Sequence, residues 1–195
     1  MRAGALLLRI DRRLAQAEAA LAGVMTAVVL VVMVLATAMR ATGRPLIWAD
    51  EAAISAMVWA GFMGAAALFA GQRHMAVTLL DEMLGETGRR RLGRVVSVLM
   101  LVGFLGLDWI VWRWFDPVGL IRAGGGQALA AQSFNYLYIE PTQTLGFAKV
   151  WVWAVLPLFA LGGTVHALVA LVAPAQAARA HAAADAARAA GQAAA

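Results

Sequence analysis

Cysteine is absent from the 195 residues, which excludes disulfides, thiolate metal sites and cysteine nucleophiles. Charge is scarce as well. Only 14% of the residues are charged, against about 25% in a soluble domain, too few to cover a surface in water. Enzyme signatures are missing too: there is no Gly-x-Ser-x-Gly elbow, no phosphate-binding Gly-rich loop ending in Lys-Ser/Thr, and no His-Glu-x-x-His. Ser55 or Ser97 with His166 is the nearest approach to the nucleophile–base pair of an intramembrane protease, and no motif supports it. The chain is not expected to be an enzyme.

What is present is hydrophobicity, 63% of residues with a mean hydropathy of +0.76. A membrane span needs about 20 mainly apolar residues, and four segments qualify. They run from Ala19 to Met39, from Ala52 to Gln72, from Val95 to about Phe115, and from Val150 to Ala173. Ala36-Thr37-Ala38 resembles a signal-peptidase site, but the run before it starts late and exceeds the about 7–15 apolar residues of a signal peptide. The first segment is therefore expected to remain as a span. A net charge of +5 would suit nucleic acid in a soluble protein. In a membrane chain it reads as arginine gathered in cytoplasmic segments, and no nucleic acid is expected.

Four spans place both termini on one side. That side carries eleven of the sixteen Lys and Arg residues, from Arg2 through the Arg89–Arg91 cluster to Arg188, and the other side carries five. The positive-inside rule makes the termini cytoplasmic. Trp48, Trp109, Trp112, Trp114, Trp151 and Trp153 then form a belt at the outer interface. Two amphipathic helices are expected on the cytoplasmic side. In one, Leu6, Leu7, Ile10, Leu14, Ala17 and Leu21 form a stripe turned away from Arg9, Arg12, Arg13 and Gln16. In the other, Val77, Leu80 and Leu84 are spaced apart from Asp81, Glu82 and Glu86. The expected fold is an all-α integral membrane protein with four transmembrane helices and these two interfacial ones. Residues 1–174 form the membrane domain and residues 175–195 an alanine-rich cytoplasmic tail. The outer loop, Asp116 to Phe147, has an aromatic patch at Phe134, Tyr136 and Tyr138 that suits local order or a contact surface.

Few polar residues offer chemistry. Asp108 lies 14 residues past Arg94, about 21 Å along a helix. It reads as an interfacial carboxylate pairing with Arg113 or facing a partner, with a proton or cation site as the alternative. Asp50 and Glu51 precede the second span, where they suit helix capping or contact with another subunit. His74 and His166 fall towards the cytoplasmic ends of their spans and read as interfacial. Two such histidines suit one haem, but no haem motif surrounds them and no cofactor is expected. Gly61, Gly64, Ala65 and Ala66 form a small-residue face that permits close helix packing. Pro157 and Gly162-Gly163 read as bending or packing features. Spans one and two contain no ionisable group for a coupled ion to use.

Several of these features occur in a recognisable order. Trp48-x-Asp50-Glu51 opens the second span, Gly64-Ala65-Ala66 lies within it, and Arg73-x-x-x-Val77 with His74 ends it. Leu79–Leu84 then leads to a basic cluster. This resembles the small membrane subunit (DctQ type) of tripartite ATP-independent periplasmic, or TRAP, transporters. The resemblance implies a sodium-coupled importer of small organic anions in the bacterial inner membrane. A periplasmic solute-binding protein captures the solute, a large permease subunit binds solute and sodium, and the small subunit braces the permease as a heterodimer. It makes Trp48, Asp50, Glu51, Gly61, Gly64, Ala65, Arg73 and His74 candidate contacts with the large subunit. The rival reading is a stand-alone oligomeric secondary transporter with Asp108 as coupling residue.

Overall fold

The described residues of the four apolar runs are almost wholly helical, and two of the helix interruptions have a local chemical cause. The computed structural model describes residues 2–70 and 86–172. Seven helices occur among them: α1 (Arg2–Ala41), α2 (Ala49–Ala70), α3 (Glu86–Phe115), α4 (Pro117–Ala123), α5 (Gly126–Ser133), α6 (Val150–Trp153) and α7 (Val155–Val172). Four stretches are long and apolar enough to cross a membrane: Leu6–Ala41, Ala49–Ala70, Arg91–Ala123 and Val150–Val172. The all-helical, four-span expectation is met.

The end of α1 is closed by glycine chemistry. Gly43 takes φ 73°, a left-handed conformation that glycine adopts without steric cost. The Arg44 amide then reaches back to the Met39 carbonyl at 3.0 Å. Between α6 and α7 the interruption at Ala154 has a different cause. Pro157 has no N–H to offer the Trp153 carbonyl four residues back, and its ring crowds that carbonyl.

The N-terminal region departs from expectation. No separate interfacial helix covers Leu6–Leu21, because α1 continues through it for 40 residues, about 60 Å at 1.5 Å per residue. Leu6, Leu7 and Ile10 of the apolar stripe are exposed, while Asp11 and Glu18 are buried against a partner within the chain. The second expected interfacial helix, at Val77–Leu84, and the alanine-rich tail lie outside the described residues, as do Arg73 and His74.

The chain divides into two compact units. One comprises the start of α1 to Glu18, α2 from Ala65, α3 to Leu107 and α7 from Ala160; the other comprises residues Ala19–Gly64 and Asp108–Phe159. In the first, Phe104 fills the space above Gly163, where a β-carbon would collide with its ring. The same ring meets Phe69 edge-on at 5.1 Å. In the second, Phe62 and Phe159 pack edge-on at 5.2 Å, and the Gly64 backbone approaches Ala22. Gly162-Gly163 and Gly64 are thus packing positions.

One face of α2 is buried through Ala49, Ala53, Ala56, Met63, Ala66 and Ala70. The opposite face carries Asp50, Ile54, Met57, Gly61 and Leu68 at helical spacing, all exposed.

Candidate functional site

Two polar constellations stand out, one in each unit. The first is built on Glu51 at the start of α2. Residues 140–149 form a hairpin-like turn, closed by the Lys149 amide to the Glu140 carbonyl at 2.8 Å, by the Thr142 amide to Phe147 at 2.8 Å, and by a Lys149–Glu140 ion pair at 2.6 Å. Its tip wraps the Glu51 carboxylate. The amides of Gln143, Thr144 and Leu145 donate at 2.7, 2.6 and 3.2 Å, and the Thr144 hydroxyl donates at 2.7 Å. Successive backbone amides form a concave anion site of this kind readily. Here a side chain from 92 to 94 residues earlier in the chain occupies it. Capping and subunit contact, the two readings of Glu51 from sequence, both miss this long-range clasp. Asp50 beside it is exposed.

The clasp belongs to a loop that is ordered by the end of α3. A helix end leaves carbonyls without intrahelical partners, and in an apolar medium each must find a donor. Asn135 donates to the Trp114 carbonyl at 2.8 Å, and the Tyr138 hydroxyl donates to the Phe115 carbonyl at 2.6 Å. Burial, and then the charge of Asp116, push the Tyr138 hydroxyl above its ordinary range, so it remains a donor. Of the aromatic patch, Tyr138 is therefore a structural tie, whereas Phe134 and Tyr136 are exposed. Replacing Glu51 with alanine is expected to free the turn. Amide exchange at Gln143–Leu145 should accelerate on the order of tenfold or more, with Glu51→Gln intermediate because it keeps one acceptor oxygen. Unchanged exchange in Glu51→Ala, followed by mass spectrometry, would show that the turn holds itself.

The second constellation joins α1 to α7. His166, read from sequence as interfacial, is instead among the most enclosed side chains of the described residues, at 2% exposure. Its Nδ1 lies 2.7 Å from Asp11 Oδ1 and its Nε2 lies 2.9 Å from Glu18 Oε2. Both carboxylates are buried, and Glu18 sits against Gly162, where a β-carbon would collide with Oε1. With both ring nitrogens taken by carboxylates, His166 offers none to a haem iron or to a serine. Ser97 in turn donates to the Gly93 carbonyl at 2.9 Å, and Ser55 to the Glu51 carbonyl at 2.8 Å. A search of the sequence for charged residues inside the apolar runs passes over this cluster. Glu18 stands one residue ahead of the first run, and Asp11 lies within an apparently amphipathic segment. A seven-residue spacing that places Asp11 and Glu18 on one helix face was the available signal.

The remaining predicted positions are dispersed. Trp48 and Gly61 are exposed, Gly64 and Ala65 are half-buried, and a β-carbon on Gly61 would meet nothing within 4 Å. Asp108 is half-buried and engaged in a contact of its own. Arg113 lies over the Trp109 ring at 6.0 Å, beside an open hollow of about 260 Å³ lined by Trp109, Trp112, Arg113 and Asp116.

The order of sequence features and the four spans point to one family. A family model described as tripartite ATP-independent periplasmic transporters, DctQ component, matches residues 28–177, about three quarters of the chain. The chain belongs to the DctQ family. No curated protein and no solved structure gives a significant match. DctQ membership makes the chain a component of a tripartite transporter. The match also covers the 140–149 turn and His166, but begins after Asp11 and Glu18, so two of the three members of the buried cluster precede it.

Proposed function

We propose that this DctQ component is the non-conducting scaffold of a sodium-coupled TRAP transporter in the bacterial inner membrane. It braces a large permease subunit one-to-one. The permease binds sodium and a small organic anion, and a periplasmic binding protein delivers the anion. Family membership carries this reading, and the distribution of polar groups supports it. Moving an anion through about 30 Å of hydrocarbon requires a polar path. The buried ionisable residues Asp11, Glu18 and His166 engage one another, while many large hydrophobic side chains of the spans are exposed. Asp108 as a coupling residue gains no comparable support.

Reconstitution tests the reading. The purified chain alone, in liposomes under an inward sodium gradient, is expected to take up no solute above background. Uptake should appear when the permease and the binding protein are added. Sodium-dependent uptake by this chain alone, reduced in Asp108→Asn, would reverse the assignment in favour of a stand-alone transporter.

In this reading both termini are cytoplasmic. Eleven of the sixteen Lys and Arg residues fall on the side of the termini and five on the other. That asymmetry suits cytoplasmic termini. Because the chain lacks cysteine, single cysteines report without background. With an impermeant maleimide on cells whose outer membrane is permeabilised, Gln127→Cys should label and Ala180→Cys should not. The opposite pattern would invert the topology.

A further inference from the structure

The scaffold role does not use the Asp11–His166–Glu18 cluster, whose hydrogen-bond accounting leads further. A carboxylate only accepts hydrogen bonds, and a neutral imidazole has one N–H and one bare nitrogen. Yet both ring nitrogens lie within 2.9 Å of a carboxylate oxygen. A neutral ring would set a lone pair against an oxygen in one of the two contacts. Both are satisfied only when two hydrogens are present. They rest on the nitrogens, because imidazole is the stronger base, with ordinary values of about 6.5 against about 4 for carboxyls.

We propose that the triad is a proton-binding site that takes one proton from water onto the neutral His166 ring and holds it between Asp11 and Glu18. Loading forms one N–H bond and changes the charge of the cluster from −2 to −1. Without that proton, two buried carboxylates would face each other across a neutral ring, an arrangement that burial makes costly. Asp11 has a further interaction of its own, and Arg9 on α1 is exposed. Arg12 and Arg13 on α1 and Arg91 and Arg94 on α3 are exposed, Ala65–Ala70 of α2 carries no titratable residue, and His166 is the one titratable group of α7.

A second observation identifies the arm through which the proton exchanges. Glu18 Oε1 is buried and, among the described residues, has no hydrogen-bond partner. It lies against the Gly162 backbone in space that a β-carbon would fill. Glu18 is thus held through its bond to His166, whereas Asp11 has a further interaction. Glu18 therefore keeps an acceptor oxygen that is not committed to the ring and can receive the proton. When the ring gives up its proton, the Nε2–H bond breaks and an O–H bond forms on Glu18, leaving a neutral imidazole and a carboxylic acid. The loaded triad fastens the start of α1 to a helix 148 to 155 residues away.

The test uses the full chain, labelled with ¹⁵N-histidine, in lipid nanodiscs at pH 8. There an ordinary histidine is only about 3% protonated. Imidazole nitrogen shifts separate N–H from bare nitrogen. One of the three histidines is expected to show two N–H nitrogens, and that signal should change to one N–H and one bare nitrogen in Glu18→Gln or Asp11→Asn. Either amide can donate to the bare nitrogen, so both variants accommodate a neutral ring, and monodisperse elution checks their folding. Loss of the signal in either folded variant supports the site. A wild-type spectrum with no doubly protonated ring would overturn it, as would a doubly protonated ring that persists in both variants.

Discussion

Replacing His166 with leucine is expected to abolish accumulation of folded subunit. The substitution keeps apolar volume in α7 but leaves Asp11 and Glu18 buried without the group that joins them. Removing one partner of a buried ionic cluster costs about 3–5 kcal/mol, a large share of the about 5–15 kcal/mol that stabilises a typical domain. The cost arises from stranded charge more than from a lost attraction. It should therefore be relieved by removing the charges as well. A combined Asp11→Asn, Glu18→Gln, His166→Leu variant should recover much of the monodisperse fraction seen by size-exclusion chromatography in detergent, and its thermal midpoint should exceed that of His166→Leu. A His166→Leu subunit that accumulates and melts like wild type would mean that the cluster contributes nothing to the fold.

That cluster also marks the boundary of what the sequence makes legible. The spans were readable because a run of about 20 apolar residues has few meanings other than a bilayer crossing. The family was readable from the order Trp48, Asp50-Glu51, Gly64-Ala65-Ala66. Partnerships across the chain were not. Glu51 meets Thr144 from 93 residues away, and nothing in either local sequence names the other. Hydropathy also passed over Asp11 and Glu18. A period that scores leucine as inside and carboxylate as outside has no term for a buried histidine that reverses the preference. Among the expected partner contacts, the structure brings Glu51 to the 140–149 turn and Gly64 to Ala22, both inside the subunit. Gly61 is left on the exposed side of α2.

Gly61→Trp is expected to leave the subunit folded while preventing its assembly with the permease. The two glycines 61 and 163 separate these outcomes. A side chain at Gly163 would enter the ring of Phe104, whereas a β-carbon at Gly61 meets nothing within 4 Å. Tryptophan at Gly61 therefore has room in the isolated subunit, and loss of glycine from a helix interior, if anything, favours the helix. Ile54, Met57 and Leu68 share its face and are 58%, 58% and 64% exposed. In lipid such a surface is not driven to associate by hydrophobicity, since acyl chains are equally apolar. Close approach of backbones at small residues supplies the packing energy instead. An indole at Gly61 removes that approach, and a displacement of a few ångströms across a helix interface forfeits most of its dispersion contacts. Co-purification of a tagged permease with the Gly61→Trp subunit should fall at least about tenfold, which corresponds to 1.4 kcal/mol of lost association. Elution and melting of the free subunit should be unchanged. Gly163→Trp should show the reverse order of failure, losing the folded subunit before assembly can be measured. Full assembly of the Gly61→Trp subunit would remove this face of α2 from the interface and direct the search to α1 and α3, whose spans are each only 11% buried within the chain.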